Sequence, residues 1–397
     1  MKIFHAGDLH YSNETLEEVD RCFAYAVEQA TGCEVAVLSG DSTDHRQDLH
    51  SPAVDALARQ IVKLTTVMPV LMLQGTFSHE PPGTLNLFGK IGNNYPVFVA
   101  DRIGQVALTD KNEWIASEGW RFHALPNGTK CLFTVIPTVN RCVLAATIGA
   151  ENASTSLSEI LADLMSGFTD INMAASASGI PTVLVSHGTV TGCITEHGFT
   201  MASLDHEFTT GILFSAGTSA VMLSHIHKHQ HWENGGQSIA YAGSIGRLHY
   251  GEEDPKGFIV WDVTASNASF SFKETPARKM LYAEFNGEPD MDALRQLAGE
   301  AQGAFVRVRW QIDEEHQNVI DRAAIEVLFE QSAGIKLEGR ILPIQRTRAE
   351  GINNSQSFGD KLAKWCEVSN TNQEPLSTRL ESLLLKEPDE IVASILQ

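Results

Sequence analysis

Apolar and polar residues alternate along the first two thirds of the chain in a way that predicts strands and helices in succession. Short apolar runs are typical of buried strands, and between them apolar residues recur at helical spacing in segments 15–30, 52–65 and 156–165. Small and polar residues at 151–158 and 174–179 predict loops. This order predicts an α/β fold.

Several strand-like runs end directly in aspartate or histidine. They occupy residues 3–10, 35–41, 70–79, 182–187 and 220–227. Because parallel strands bring their C-terminal ends to one edge of a sheet, these side chains are expected to converge in one crevice. That arrangement is typical of a two-metal hydrolase.

The pattern changes after residues 257–261. From there on aspartate and histidine no longer follow the strands, and residues 270–272 alternate as in an antiparallel strand. A strand, a helix, a strand and a helix are predicted, in that order, at 281–285, 291–301, 304–310 and 320–331, and two short helices at 376–386 and 388–396. We therefore predict a main domain at 1–274, a small α+β domain at 275–369 and a C-terminal helical segment at 370–397.

Composition supports a protein with a large core and more than one domain. The chain has 397 residues, above the roughly 250–300 at which single cores stop growing, and 43% of them are hydrophobic. The net charge of −20 argues against a chain-wide attraction to nucleic acid or anionic membranes. A polyanionic substrate would need a local basic patch.

The cysteines predict a reducing compartment. The six of them form no CxxC pair and mostly stand beside apolar residues. The first strand begins at the N-terminus, and no apolar run reaches the ~18 residues of a membrane span. We expect a cytoplasmic protein without membrane insertion.

Asp8 and His10 occupy alternate positions of one extended segment, so both side chains are expected on one side of it. A carboxylate with an imidazole suits Mn²⁺, Fe²⁺ or Zn²⁺, and the lack of thiolates at the strand ends argues against a structural zinc site. Asp41 follows Gly40 and is placed to bridge two ions, with Asp44 a turn later.

Three histidines complete this set: His187, His225 and His227. A single histidine after a strand is more often a hydrogen-bonded structural residue than a ligand, but their joint occurrence at successive strand ends favours metal binding. His229 and His231 continue the alternation, and we expect a structural role for them because the preceding pair already completes the site.

At these residues the chain resembles the calcineurin-like metallophosphoesterases, whose signature is Asp-x-His, Gly-Asp, Gly-Asn-His-Asp/Glu, His and Gly-His-x-His. It is similar in particular to SbcD-type DNA repair nuclease subunits, through residues 225–230, 242–245, 250–253 and 256–258. The resemblance implies a β-sandwich flanked by helices with a small α+β capping domain.

The chain departs from that signature at three places. The expected Gly-Asn-His reads Gly-Thr-Phe-Ser-His at residues 75–79, with two extra residues, and Ser78 is the best substitute for the missing asparagine. Ser224 replaces the glycine before His225, and Ser186 precedes His187. A serine hydroxyl is a poorer ligand than a carboxamide oxygen, so the second ion is expected to bind less tightly.

The resemblance also implies roles. Two divalent ions, most simply Mn²⁺ with Fe²⁺ or Zn²⁺ as alternatives, would share Asp41. One ion would be held by Asp8, His10 and His227, the other by His187, His225 and Ser78. His79 would stabilise the transition state or protonate the departing oxygen as a catalytic residue, with Glu80 orienting its ring. The alternative is that His79 is a structural turn residue.

DNA contact is expected in the second domain, at Arg307, Arg309, Arg346 and Arg348. The alternative is that these arginines are ordinary surface residues. By resemblance the partner would be an SbcC-type coiled-coil ATPase bound to the apolar helices after residue 374, unless those helices pack on the chain's own second domain. The family also implies a homodimer.

The leading hypothesis is a Mn²⁺-dependent nuclease subunit for DNA break processing or recombination, acting as an exonuclease on duplex ends and an endonuclease on single strands. One alternative is a phosphodiesterase or phosphatase for small substrates. Another is a repair scaffold with weak or lost catalysis.

Overall fold

The computed structural model describes residues 1–48, 50–138, 157–195, 207–343 and 357–395, with residues 147, 352 and 355. The strands are β1 (Lys2–Ala6), β2 (Val35–Leu38), β3 (Val70–Leu73), β4 (Val97–Ala100), β5 (Gly104–Thr109), β6 (Trp114–Ala116), β7 (Thr129–Ile136), β8 (Thr182–His187), β9 (Thr189–Val190), β10 (Glu207–Phe208), β11 (Ala220–Ser224), β12 (Gln230–Asn234), β13 (Gln237–Tyr241), β14 (Gly257–Val263), β15 (Ala268–Glu274), β16 (Met280–Asn286), β17 (Phe305–Asp313) and β18 (Gly334–Leu342).

The α-helices are α1 (Leu16–Gln29), α2 (Pro52–Val67), α3 (Leu157–Ala177), α4 (Thr210–Ser215), α5 (Met291–Ala298), α6 (Arg322–Leu328), α7 (Phe358–Ser369), α8 (Gln373–Leu384) and α9 (Pro388–Ile395). Two 3₁₀-helices cover Thr84–Lys90 and Glu314–Val319. No helix within the described ranges combines the length and the apolar character that a bilayer span needs.

Two mixed sheets contain most of the strands. The first sheet has the order β15-β14-β1-β2-β3-β4, with β1 to β4 parallel and β14 antiparallel to β1. The second sheet has the order β12-β13-β11-β8-β7-β5-β6, with β13, β11, β8 and β7 parallel and the outer strands antiparallel. Each sheet therefore has a parallel centre, and the predicted α/β class is confirmed in the form of mixed sheets.

The two sheets pack face to face around a core that excludes water. Ile3 and Val37 of the first sheet belong to the same buried cluster as Phe133, Val185 and Met222 of the second. Because side chains alternate between the two faces of a strand, the neighbouring residues point outwards to the helices. The apolar runs are continuous because both faces of these strands are buried.

Helices cover the outer face of each sheet. Phe4 and Leu38 pack with Phe23 of α1 and Leu57 of α2 in one cluster. On the second sheet, Leu184 and Tyr241 pack with Leu164 and Phe168 of α3. The layers are thus helix, sheet, sheet and helix.

The predicted helices at 15–30 and 52–65 are confirmed by α1 and α2. The loop predicted at 174–179 is wrong for residues 174–177, because α3 continues to Ala177, and is confirmed for residues 178–179, which form a turn with φ of +79° at Gly179. Alanine and serine are compatible with a helix, so small size alone did not mark a loop. Of the linker predicted at 151–158, residues 151–156 lie outside the described residues.

The chain divides into two compact units. One comprises Met1–Ala283, Met291–Val308 and Arg322–Glu338, and the other comprises Glu284–Asp290, Arg309–Asp321 and Gly339–Gln397. Strands β16, β17 and β18 form a sheet of their own in the order β16-β17-β18. Because the units are discontinuous in sequence, the domain boundaries at 274 and 369 remain predictions.

Candidate metal centre

The predicted ligands follow neighbouring parallel strands in both sheets. Asp8 and Asp41 come after β1 and β2 of the first sheet, while His187 ends β8 and His225 follows β11 of the second. The packed sheets bring these four ends together, and all four side chains are largely buried. Residues more than two hundred positions apart in sequence therefore share one site.

One group of possible ligand atoms comes from Asp8, His10 and His227, which lie within 4.8 Å of one another. The Nε2 atoms of His10 and His227 are 3.2 Å apart. Two ring nitrogens that bind one ion at about 2.1 Å are separated by about 3 Å, so the rings already have the spacing of co-ligands. Both carboxylate oxygens of Asp8 accept from the backbone N–H of His225 at 3.0 Å, which fixes that carboxylate.

A second group consists of Asp41, His187 and His225. Oδ2 of Asp41 lies 3.2 Å from Nε2 of His187 and 3.9 Å from Nε2 of His10. Asp41 also forms a group with His10 and His79. It therefore stands between the two groups, where the sequence predicts a bridging carboxylate.

The backbone at these residues adopts a conformation that side chains disfavour. Positive φ angles occur at Asp8 (47°), His10 (48°), Asp41 (49°) and His225 (105°). Such angles are uncommon outside glycine, cost of order 1–3 kcal/mol each and cluster at functional sites. The strain at four predicted ligands supports a function for this edge of the sandwich.

Gly40 leaves space for the ring of His187 in the second group. A Cβ at Gly40 would run into Nδ1 of His187, and the residue has φ of +112°. The ring of His187 thus lies directly over the backbone before Asp41, and its Nδ1 donates to the carbonyl oxygen of Ser39 at 3.1 Å. Nε2 is left to face Asp41.

Ser78 does not lie where the sequence predicts it. Its side chain is exposed, whereas Thr76 contacts the second group. The N–H of Thr76 donates to Oδ1 of Asp41 at 2.6 Å, and its hydroxyl lies 3.2 Å from both Oδ2 of Asp41 and Nε2 of His187. Thr76, which directly follows Gly75, is therefore the residue of this loop that lies against the second group in place of Ser78.

Glu80 does not orient His79, contrary to the prediction. Its buried carboxylate accepts from the backbone N–H groups of Gly75, Ser42 and Thr43, at 2.6, 2.6 and 3.2 Å. Burial, aided by the charge of Asp41, raises the pKa of Glu80 to about 7. Glu80 therefore ties the loop after β3 to the loop after β2.

Asp44 is the partner of His79. Its Oδ1 accepts from Nδ1 of His79 at 2.6 Å and lies 2.6 Å from Nδ1 of His45. The hydrogen bond to Asp44 raises the pKa of His79 against the effect of burial. The ring of His79 is partly exposed and stands edge-on to His10, with centroids 4.7 Å apart. It is thus beside the ligand groups and accessible.

The charges within the second group are coupled. Burial alone would raise the pKa of Asp41, but the ring of His187 holds it well below its usual range. Burial would lower the pKa of His187, but the charge of Asp41 and their hydrogen bond raise it to about 9. Burial, together with the charge of His187, lowers the pKa of His225 to about 4. A bound cation would take over the compensating charge that the proton on His187 provides.

Both serines that depart from the signature have hydrogen-bond partners in the structure. Ser224 hydrogen-bonds Ser39 across the two sheets, and Ser186 donates to the carbonyl oxygen of Ile136 at 2.9 Å. Ser39 also pairs with His5 at 2.8 Å, and Trp261 donates to the other ring nitrogen of His5 at 3.2 Å. A polar chain thus runs through the core directly beneath the ligands.

The histidines that follow the site have structural contacts. Nδ1 of His229 donates to the carbonyl oxygen of Tyr241 at 2.7 Å, and its ring stacks on Phe272 with centroids 4.3 Å apart. His231 packs edge-on against Phe270. Sequence reasoning did not identify Glu252, which lies against His227. The sequence did contain a clue, because Glu252 lies in the segment 250–253, but that segment served only to support the resemblance to the SbcD-type subunits.

The arginines predicted to contact DNA are not equivalent. Arg307 is largely buried and is engaged by Glu338, with nitrogen–oxygen distances of 2.9 and 2.8 Å, and by the carbonyl oxygen of Tyr250. Arg309 is exposed. Arg346 and Arg348 lie outside the described residues. Arg307 is therefore already paired within its own unit.

Comparisons with known proteins give remote likenesses. No family model matches the chain, and no curated protein sequence matches it. Among solved structures it is similar to GAP50, the anchor in the inner membrane complex of Plasmodium, at 15% identity and a TM-score of 0.39 over 71% of this chain and 87% of that one. It is also similar to a protein assigned as a 5'-nucleotidase from Staphylococcus aureus, at 13% identity and a TM-score of 0.39 over 76% of this chain and 58% of that one.

Proposed function

We propose that the chain is a two-metal-dependent phosphodiesterase of the calcineurin-like metallophosphoesterase type, and within that class a DNA nuclease subunit of the SbcD type. The observation that carries the proposal is the convergence of two groups of possible ligand atoms on Asp41. Strained backbone at Asp8, His10 and His225 supports the same conclusion.

The donor atoms fit divalent metal ions. Imidazole nitrogens and carboxylate oxygens suit Mn²⁺, Fe²⁺ or Zn²⁺, and neither group includes a thiolate. Asp8, His10 and His227 would hold one ion, His187 and His225 the other, with Asp41 between them and Thr76 beside the second. When bound, such ions supply an activated water and offset the charge on the phosphoryl oxygens.

His79 is the residue that we assign to proton transfer. Its Nδ1–H is held by the Asp44 carboxylate, which leaves Nε2 to carry a proton to the departing oxygen of the phosphodiester. The hydrogen bond to Asp44 raises the pKa of His79, which makes the ring a better proton carrier than an imidazole without that partner. Glu80 and Thr76 shape the loop that carries His79, so they act on catalysis through its position.

The nuclease role and the partner follow as further parts of the proposal. A net charge of −20 suits a subunit whose DNA affinity comes largely from another chain. Helix α8 has no buried residue, and Leu384 and Leu385 are 58% and 89% exposed. We assign this surface to an SbcC-type coiled-coil ATPase. Changing both leucines to lysine should abolish binding to such an ATPase and leave hydrolysis of a small aryl diester unchanged.

The decisive experiment measures bound metal and two activities in one preparation. The purified chain is loaded with Mn²⁺ and assayed on an end-labelled linear duplex and on bis(p-nitrophenyl) phosphate. Asp41→Asn is expected to lose metal and both activities, whereas Asp48→Asn, at an exposed aspartate on the same loop, is expected to retain them.

Each other outcome changes the conclusion in a defined way. A chain that binds no divalent metal, or an Asp41→Asn variant as active as the wild type, would overturn the two-metal proposal. Cleavage of the aryl diester without cleavage of DNA, also in the presence of the ATPase, would leave a phosphodiesterase for small substrates. A chain that binds metal but hydrolyses neither substrate would support the alternative of a repair scaffold without catalysis.

A further inference from the structure

Two oppositely charged side chains are buried next to the candidate metal centre. Glu252 has no exposed surface and Lys256 is 2% exposed, and they stand at positions i and i+4 of the non-helical segment between β13 and β14. Taking two such charges out of water is costly, and a buried ion pair seldom adds net stability. Their burial therefore calls for a role besides stability.

Both charges are directed at one residue, His227. Oε1 of Glu252 lies 2.9 Å from Nδ1 of the His227 ring. Lys256 donates through Nζ to the carbonyl oxygen of His227 at 3.1 Å and lies 3.2 Å from Oε2 of Glu252. The carboxylate thus holds the ring, and the ammonium holds both the carboxylate and the main chain.

The second carboxylate oxygen is fully used. Oε2 accepts from the backbone N–H of Leu248 at 2.8 Å as well as from Lys256. Since an ionised carboxylate can only accept, the proton of the His227 ring must be on Nδ1. Nε2 then presents its lone pair towards Nε2 of His10, 3.2 Å away, which is where the first ion would be bound.

We propose that Glu252 and Lys256 are positioning residues that hold His227 in the one tautomer and orientation that can bind the first metal ion. The proposal deepens the proposed function and rests on it. A carboxylate that fixes a ligating histidine also strengthens the ring as a donor, and removing such a partner typically lowers metal affinity about 10–100-fold.

The substitution Glu252→Gln tests the tautomer directly. The side-chain oxygen of glutamine would be drawn to the two donors, Leu248 N–H and Lys256, which turns its NH₂ group towards Nδ1 of His227. Nδ1 must then accept, so the proton moves to Nε2 and blocks the atom that faces the ion. Glu253→Gln, at the exposed neighbouring residue, is the matched control.

Two measurements on metal-free protein are needed: the ¹⁵N chemical shifts of the His227 ring, assigned with a His227→Asn variant, and the binding isotherm for Mn²⁺. We expect the ring to change from the Nδ1–H to the Nε2–H tautomer in Glu252→Gln, and one of the two Mn²⁺ affinities to fall about 10–100-fold. Glu253→Gln should match the wild type in both. If Glu252→Gln bound Mn²⁺ with the affinities of the wild type and only its Tm were lower, Glu252 and Lys256 would have a structural role and the proposal would be overturned.

The outcomes separate this proposal from the function on which it rests. If the wild type binds no Mn²⁺, the proposed function fails, and an unchanged tautomer in Glu252→Gln would overturn the positioning role by itself. Should Glu252→Gln fail to fold, Lys256→Gln takes its place. It leaves the ring hydrogen bond and releases the main chain of His227, so a weaker first Mn²⁺ supports the proposal and an unchanged affinity overturns it.

Discussion

Nδ1 of His79 donates a hydrogen bond of 2.6 Å to Oδ1 of Asp44, across the gap between the loops that follow β3 and β2. The same carboxylate oxygen lies 3.7 Å from Nδ1 of His10. A single residue therefore orients the ring assigned to proton transfer and lies next to a ring assigned to metal binding. Its replacement should affect these two functions to different degrees.

Asp44→Asn is expected to slow the reaction most for substrates with poor leaving groups. General acid catalysis contributes about 10²–10⁴-fold, but a p-nitrophenolate leaves without a proton, whereas an alkoxide does not. We expect a loss of at least about tenfold on DNA or an alkyl diester and little change on the aryl diester, measured as kcat at saturating Mn²⁺. His45→Asn removes an exposed ring from the same carboxylate and serves as the control. Equal losses on both leaving groups would contradict the assignment of His79 as the acid.

Thr76→Val should weaken the second metal ion. Valine keeps the shape of threonine but removes the hydroxyl that lies 3.2 Å from both Asp41 and His187. We expect about tenfold weaker binding of one Mn²⁺ by calorimetry, while Ser78→Ala should behave as the wild type because Ser78 is exposed. The reverse ranking would show that Ser78 is the ligand after all. Thr76→Asn, which introduces a carboxamide oxygen, should bind the second ion more tightly than the wild type.

Gly7→Ala should destabilise the fold through contact with two serine side chains. The added Cβ would overlap Oγ of Ser224 and lie 2.6 Å from Oγ of Ser39. Overpacking of this kind costs about 1–3 kcal/mol, measurable by urea unfolding of the metal-free chain. The double variant Gly7→Ala/Ser224→Gly should recover part of that loss although Ser224→Gly alone loses a hydrogen bond. Strictly additive effects would contradict the proposed overlap, because residues in contact are expected to couple.

His5 should make stability depend on pH below neutrality. Burial, with a smaller contribution from the charge of His229, lowers the pKa of His5 to about 3. Between the unfolded pKa near 6.5 and this value only the unfolded chain binds the proton, so the stability contributed by His5 is complete above about pH 6.5 and is lost as the pH falls. The loss amounts to about 2 kcal/mol between pH 6.5 and pH 5.

His5→Gln removes this proton and keeps the hydrogen bond to Ser39. In the metal-free chain, the free energy of unfolding of this variant should fall less from pH 7.5 to pH 5 than that of the wild type. His123→Gln, at an exposed histidine, is the control. A pH slope that is the same in His5→Gln and the wild type would show that His5 is not held neutral in the folded chain.

The sequence was sufficient to place the strand ends but not the loops that follow them. Asp8, Asp41, His187 and His225 could be located because each stands next to a buried apolar strand, and parallel neighbours must end at one edge. The structure places Ser78 and Glu80 differently from the prediction, because both lie in a turn whose path is set by hydrogen bonds to the backbone. The periodicity of apolar residues in the sequence carries no information about such hydrogen bonds.

Pairing between distant residues limited the prediction in other places as well. Glu252 and His227 are 25 positions apart, and only the fold brings them together. Strands β4 and β6 were not predicted although Val97–Ala100 and Trp114–Ala116 are apolar, because runs of four and three residues are too short to show a period. In each case the sequence did not show which distant segment packs beside the residue or strand in question.

The hydrogen bond between Ser39 and Ser224 joins the two sheets at the level of the ligands. Asp8 and Asp41 belong to one sheet, and His187 and His225 to the other. A slide of one sheet over the other, even by a fraction of an ångström, would therefore change every distance between the two sets of donors. The affinity for the ions therefore depends on how the two sheets are aligned. A substitution deep between the sheets that shifts this alignment should lower the affinity for metal even where it leaves the melting temperature unchanged.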